Sequence, residues 1–474
     1  MNNIHFPNYS IIAGAAVAGE GAALAVINPA TEAPLAHINS ISTQQFDQAV
    51  AAAQNAFPLW RDLGDAKRSE LLLQAAVVLE QHADEIATLI ILEQGKVLGL
   101  AQFEMQGTLA WLRYTAGLQI PVEILEDSDS KRIELHREAI GVVGSITPWN
   151  WPVRIAMWHM VAALKAGNVV INKPSEYTPF STVRMVEVLN QVLPAGVLQV
   201  VVGKGDVGAA FSAHAGIQKM VFTGSTPTGQ AIYQGSAAFM RPLTLELGGN
   251  DAAIVLPDVN VAEAAAKIYA GAFINGGQTC AALKRLYVHE SIYADMCQAL
   301  ADIADSVVVG DGMDERSQLG PVQNKMQYDK VNQYLQAALA QGGRAVTQST
   351  QLPAQGYFIR PTIVADVANS VALVQEEQFG PVLPVVAYQN LADALQMANG
   401  IEFGLGGSVW SQDLEAAQQV AAQMQTGTVW INGHAEVAPH APFGGWKLSG
   451  LGCEFGMDGL LANTRQKAVH VYKN

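Results

Sequence analysis

Cysteine is scarce in this sequence: three residues, Cys280, Cys297 and Cys453, in a chain of 474. The number is odd, the spacings are irregular and no C-x-x-C occurs. That excludes a disulfide framework and a structural zinc site. Charge is sparse too, at 15% of residues, and basic charge sparser, with 27 Lys and Arg against 42 Asp and Glu. The resulting net charge of −15 repels phosphate backbones and anionic lipids, so no nucleic acid or membrane partner is expected. No apolar run approaches the ~18 residues of a membrane span. The opening MNNIHFPNYS lacks the basic patch and apolar stretch of a secretory signal. Internal repeats and low-complexity linkers are also missing. These absences leave a cytoplasmic globular protein, half of it apolar, whose length suggests two to four domains at ~100–200 residues each.

What is present is a rhythm. Residues 43–105 read as helical, with apolar residues at spacings of three and four. After them, short β-branched runs alternate with helical stretches. GVVGSIT precedes a helix near Trp151, NVVINK precedes PFSTVRMVEVLNQV, LQVVVG precedes DVGAAFSAH, and KMVFTG precedes PTGQAIYQGSAAF. This alternation predicts an open, mostly parallel sheet with helices on both faces. The rhythm resumes after Cys280 with RLYVHE, VLPVVAY, GGSVWS and GTVWIN, a second α/β domain. Two segments fit neither. Residues 122–137 read as a hairpin with a charged turn, and the tail KAVHVYKN as a lone strand. An unpaired terminal strand invites pairing with another chain, so both are expected at an oligomer interface.

Several turns are candidates for chemistry. GKGDVG, from Gly203 to Gly208, fits G-x-G-x-x-G after a strand, but late in the domain. FTGSTPTG, from Phe222 to Gly229, is a second strand-to-helix turn; Ser225 and Thr226 can cap its helix and leave N–H groups for a phosphate. In LTLELGGN, Glu246 sits in an apolar strand, either ion-paired or desolvated with a raised pKa. In ITPWNWP, Asn150 is either a turn residue or an amide donor aimed at an oxyanion. Lys173 and Glu176 follow a strand in NKPSE. FINGGQTC ends at Cys280, a thiol behind two glycines; most such thiols are merely small buried hydrophobes. His434 and His440 are six apart on a loop, a poor metal spacing, and no metal is expected.

Taken in order, PWNWP, NKPSEYTP, FTGSTPTG, LELGG, FINGGQTC, EEQFGPV and PFGGWKLSG resemble the aldehyde dehydrogenase superfamily, from about Ile27 to the last residues. The resemblance implies a Rossmann-like cofactor domain over residues 1–121 and 140–247, a second α/β catalytic domain over 248–447, and a small β oligomerisation element from 122–139 and 458–474 of a homodimer or homotetramer. It implies Cys280 as the nucleophile, with its glycines leaving room for substrate and nicotinamide. Asn150 would hold the oxyanion, and Glu246 would act as the general base that hydrolyses a thioester. Lys173 and Glu176 would bind the adenosine ribose, and Ser225, in the Gly224–Gly229 turn, the pyrophosphate. Glu377 and Phe379 would hold the nicotinamide ribose beside Trp149. The Gly203 turn would pack near the adenine. Glu176 repels a 2′-phosphate, which implies NAD; the small Ser175 leaves NADP use open.

Trp151, Ile155 and Trp158 share one helix face by spacing, a pattern that core packing also produces. By resemblance they line an apolar aldehyde tunnel with Phe443 and GHAEVAPHAP at its mouth. Relatives acting on acidic semialdehydes often carry arginine where this chain has Trp158, so uncharged aliphatic or aromatic aldehydes are implied. Arg154 could reach a carboxylate, but is expected to face away. His159 and Val161 stand where many relatives carry lysine and proline. The alternatives are a CoA-acylating enzyme, which Glu246 opposes, an acidic semialdehyde dehydrogenase, or a catalytically silent binding protein on the same scaffold.

Overall fold

Apolar β-branched runs bounded by glycine turns become strands buried on both faces. In the computed structural model, which describes residues 4–349 and 351–473, the first sheet has eight strands. Across it lie Ala15–Val17, Ser10–Ile12, Leu198–Val200, Val169–Lys173, Val142–Ile146, Lys219–Thr223, Leu243–Glu246 and Gly450–Leu451. The strands from Leu198–Val200 to Leu243–Glu246 are all parallel. From Val142–Ile146 the chain first steps to one side of the sheet and later returns to the other, at Lys219–Thr223. That reversal opens a crevice at the carboxyl ends of these two strands, the favoured ligand position in an open α/β sheet.

The second sheet runs Arg344–Ala345, Thr362–Ala365, Val382–Tyr388, Leu283–His289, Asp251–Val255, Gly406–Trp410 and Thr428–Ile431. All its pairings are parallel except that of Arg344–Ala345. The two sheets meet at LELGGN: Glu246 ends a strand of the first, and Asp251 begins a strand of the second. The chain then returns to the first sheet, where Glu246 pairs with Gly450.

The predicted hairpin and the tail form one antiparallel sheet, Glu123–Asp127, Lys131–Ala139 and Thr464–Tyr472. This corrects the expectation of a lone terminal strand: Thr464–Tyr472 is paired along its whole length with Lys131–Ala139 of its own chain. Apolar side chains remain exposed on this sheet and just before it, at Val122, Ile124, Leu125, Val471 and Tyr472. No helix among the described residues is long and apolar enough to cross a membrane.

Candidate active site

The crevice at the strand reversal is a cavity of about 700 Å³, within the usual range for small-molecule sites. Its wall includes Trp149, Asn150, Lys173, Glu176, Gly224 and Ser225 from the first half of the chain. Cys280, Glu377 and Phe379 come to it from the second.

Cys280 is presented by a strained turn. Asn275, Gly276 and Gly277 have φ of 52°, 64° and 74°, the left-handed region. A Cβ on Gly277 would lie 2.3 Å from the Gly380 carbonyl oxygen, so only glycine fits there. Both glycines shape the turn by their positive φ, and the missing side chain of Gly277 makes room for the Gly380 backbone, not for a ligand. The turn is pinned by buried amides. Gln278 Nε2 donates to the Asn275 carbonyl at 2.9 Å, and Gln278 Oε1 accepts from the Gln323 N–H at 2.9 Å. Asn150 Nδ2 donates to the Gln278 carbonyl at 2.9 Å, and the Asn150 carbonyl accepts from Lys96 Nζ and Asn275 Nδ2. The Asn150 amide is thereby fixed beside the cysteine turn, at the N-terminus of the helix Pro152–Lys165, which starts on a proline.

Burial pushes the Cys280 thiol up to about 12; Lys284 opposes that shift, and Glu246 adds to it. Lys284 Nζ lies over the Phe379 ring and 3.6 Å from Glu377 Oε1. Glu377 Oε1 also accepts from the Gly249 N–H at 3.1 Å. Phe379 holds φ of 51°, unusual for a residue with a side chain, and its ring meets Trp149 edge-on. The glycines of LELGG permit this approach: a Cβ on Gly248 would meet Glu377 Oε2 at 2.8 Å, and one on Gly249 the Cys280 carbonyl at 2.7 Å.

Glu246 lies behind this wall. It is buried, and neither carboxylate oxygen has a hydrogen-bond partner among the described residues. Burial raises its pKa well above that of an ordinary carboxylate, and a second buried carboxylate, Glu454, raises it further. The sequence reading missed Glu454, whose only signal is an acidic residue in the glycine-rich GLGCEFG. Burial pushes Glu454 up to about 8, with Lys219 opposing. His159 stands beside it, Nε2 lying 3.2 Å from Glu454 Oε1 and 2.9 Å from Thr223 Oγ1, with Nδ1 2.9 Å from Ser145 Oγ. Burial, then the charge of Lys219, lowers His159 to about 3, which keeps it neutral.

At the far end of the cavity Lys173 Nζ donates to the Pro174 carbonyl and lies 3.9 Å from Glu176 Oε2. Between the ends, Ser225 is the N-cap of the helix Thr226–Ser236, and its side chain makes no capping bond. The first backbone N–H groups of that helix are therefore available to an anion. A carboxylate and an ammonium for sugar hydroxyls, free N–H donors for phosphate, and a thiol at the other end form a donor set that fits a dinucleotide.

Two glycines assigned to the cofactor lie elsewhere. A Cβ on Gly203 would strike Val207, and one on Gly229 would strike Leu247. Both serve helix–strand packing and neither lines the cavity; the Gly203 turn reaches it through Gly205 and Gly208. On the other side of Cys280, Trp158 and Phe443 join Trp111, Phe455 and Leu405 in one apolar cluster that includes the cysteine. Trp151 and Ile155 are not members of that cluster. Trp151 braces the cysteine turn instead, with Nε1 donating to Thr279 Oγ1 at 3.0 Å, and Ile155 is buried. His434 is no mouth residue: its side chain is fully buried against Ser408 and Asp251. His440 is exposed.

The aldehyde dehydrogenase family model matches residues 16–469. The chain belongs to the aldehyde dehydrogenase family. Within the family it is 38% identical to phenylacetaldehyde dehydrogenase of Pseudomonas fluorescens, over 96% of this chain and 94% of that one. An aldehyde dehydrogenase from Bacillus cereus, solved as an NAD+ complex, superposes with a TM-score of 0.95 at 35% identity, covering 98% of this chain and 96% of that one. Lactaldehyde dehydrogenase of Escherichia coli gives a TM-score of 0.95 at 31% identity, over 98% of this chain and 99% of that one.

Proposed function

We propose that this family member oxidises an aldehyde to the carboxylic acid with NAD, through a thioester on Cys280. The observation that carries the reading is that Cys280 shares one cavity wall with Glu377, Phe379 and Trp149 at one end and Lys173 and Glu176 at the other. The NAD+ complex of the Bacillus cereus relative supports the choice of cofactor. NAD, when bound, supplies a hydride acceptor beside the thiol.

The remaining work belongs to this chain. The Cys280 thiolate adds to the carbonyl carbon, and the new oxyanion is held by the Asn150 amide and the Cys280 backbone N–H. Removing one such donor costs about 10²–10³ in rate. Collapse of the oxyanion expels hydride and leaves an acyl thioester. Glu246 then takes a proton from water, whose oxygen displaces the thiol and releases the acid. A raised pKa suits a general base working near neutrality. Glu176 disfavours a 2′-phosphate by charge, which supports NAD over NADP. The aromatic cluster of Trp111, Trp158, Phe443 and Phe455 beside Cys280 supports an aldehyde with an apolar body. The exposed apolar residues of the small antiparallel sheet support a homodimer or homotetramer, and the protein is proposed to work in the cytoplasm.

The test is product analysis. An aldehyde panel is incubated with NAD, NADP, or NAD plus CoA. NADH and free acid in equal amounts are expected. Acyl-CoA in place of acid, or no reduction with any aldehyde, rejects the reading.

A further inference from the structure

Arg154 is a buried cation with no ion pair of its own among the described residues. It stands in the first turn of the helix Pro152–Lys165 and is 7% exposed. Its Nε has no hydrogen-bond partner among the described residues. Glu104 is the carboxylate whose field reaches it, and Glu104 is already engaged. Glu104 Oε1 accepts from the backbone N–H groups of Val153 and Arg154, and Oε2 from Lys96 Nζ. Lys96 and Arg154 thus share one anion. Leaving a buried charge unpaired is costly, so such groups find partners. Desolvation lowers the Arg154 guanidinium to about 10, which still leaves it charged at neutral pH.

The guanidinium fills the space that a side chain on Gly107 would take. A Cβ on Gly107, of the helix Leu98–Gly117, would lie 2.7 Å from Arg154 Cζ. The rings of Phe103, Trp111, Trp151 and Trp158 have centroids 5.0, 4.7, 5.8 and 5.6 Å from Cζ. Aromatic faces attract a cation, yet they offer no lone pair to the in-plane N–H groups of a guanidinium. Trp111 and Trp158 also belong to the apolar cluster that contains Cys280, and their buried indole N–H groups lack acceptors as well. Guanidinium and indole are donors only. Three donors without a partner among the described residues, Arg154 Nε and the two indole N–H groups, are therefore buried in and against the aromatic cluster that includes Cys280.

We propose that Arg154, with the indole N–H groups of Trp111 and Trp158, receives a carboxylate carried by the aldehyde substrate at the end remote from its carbonyl. The proposal rests on Cys280 being the nucleophile. It takes up the alternative that Arg154 reaches a carboxylate, in place of the expectation of an uncharged substrate. The apolar body of the substrate lies among the rings, and its carboxylate accepts from the guanidinium edge, the geometry in which such pairs are strongest. The substrate class is an aldehyde acid, and the product a dicarboxylate. A reaction that oxidises or cleaves a precursor to a carboxylated aldehyde must supply it.

The test uses the NAD-saturated enzyme and pairs of aldehydes, straight-chain and aryl, of increasing length. Each pair differs only in a terminal carboxylate against a methyl group. At one length, kcat/KM is expected to favour the carboxylate by roughly 10–100-fold, the scale of hydrogen bonds to charged groups. Arg154→Met should bring that ratio toward one, and Arg154→Lys should keep part of it. A merely structural arginine would lower both members of each pair alike and leave the ratio unmoved. A ratio near one at every length in the unaltered enzyme overturns the proposal on its own, without any variant, and leaves the thiol chemistry standing. Failure to oxidise any aldehyde overturns the parent reading as well.

Discussion

Lys284 Nζ donates to the carbonyl oxygen of Cys280 at 2.6 Å and to that of Thr279 at 2.8 Å. An ammonium is thus tied to the backbone that carries the thiol, and its charge works against the burial that raises the thiol pKa. An opposite charge nearby favours the thiolate. Lys284→Met should raise the thiol pKa further and slow alkylation of Cys280 by iodoacetamide at neutral pH, on the order of tenfold. The pH dependence of alkylation is the measurement, and its midpoint should move upward.

Glu454 and Glu246 are buried like charges, and each makes ionisation of the other harder. The field of Glu454 is a cause of the raised Glu246 pKa. Glu454→Gln removes that charge, so Glu246 should lose its proton at lower pH. A base that must be ionised gives a rate that rises with pH through its pKa. The acidic limb of the pH–kcat profile is therefore expected to shift toward lower pH in Glu454→Gln. An unmoved or upward-shifted limb would show that the two carboxylates are not coupled during turnover.

Glu176 sits beside Lys173 at the end of the cavity remote from the thiol. Its charge is the main discrimination available against a 2′-phosphate. Glu176→Gln should raise kcat/KM for NADP by about tenfold relative to NAD, the scale of one removed repulsive contact. Steady-state rates with both nucleotides check this.

Gly277 combines φ of 74° with a backbone oxygen 2.3 Å from where a Cβ would be. Gly277→Ala is therefore expected to destabilise the cysteine turn by roughly 1–3 kcal/mol of local strain. NADH formation should fall in that variant, while NAD binding, followed by titration calorimetry, should fall much less.

What was legible in the sequence was local. GVVGSIT, NVVINK and KMVFTG are the buried parallel strands Val142–Ile146, Val169–Lys173 and Lys219–Thr223, because strand-to-helix turns declare themselves by glycine, proline and capping residues. The turns that follow these strands bring Trp149, Asn150, Lys173, Glu176 and Ser225 to one cavity for the same reason. What was not legible depended on distant pairing. Glu454 reaches Glu246 only because Gly450–Leu451 returns to pair with Leu245 and Glu246. The tail looked unpaired because its partner, Lys131–Ala139, lies more than 300 residues earlier. Gly203 fits a fingerprint by spacing and Gly229 ends a strand-to-helix turn, yet they pack against Val207 and Leu247, which neither pattern reveals. The burial of Arg154 is not legible in the sequence, because nothing in its own helix points to Gly107, the missing side chain on a neighbouring helix that makes room for it.

The account turns on a thioester at Cys280 that Glu246 resolves. The most direct test is a pre-steady-state mixture of Glu246→Gln with NAD and an aldehyde, quenched for mass analysis of the peptides. The account predicts one rapid equivalent of NADH per active site, then a steady rate lower by about 10²–10⁴, the usual worth of a general base, with the acyl mass on Cys280. Unimpaired steady turnover, or an acyl group on Cys453 or Cys297 in its place, would contradict it.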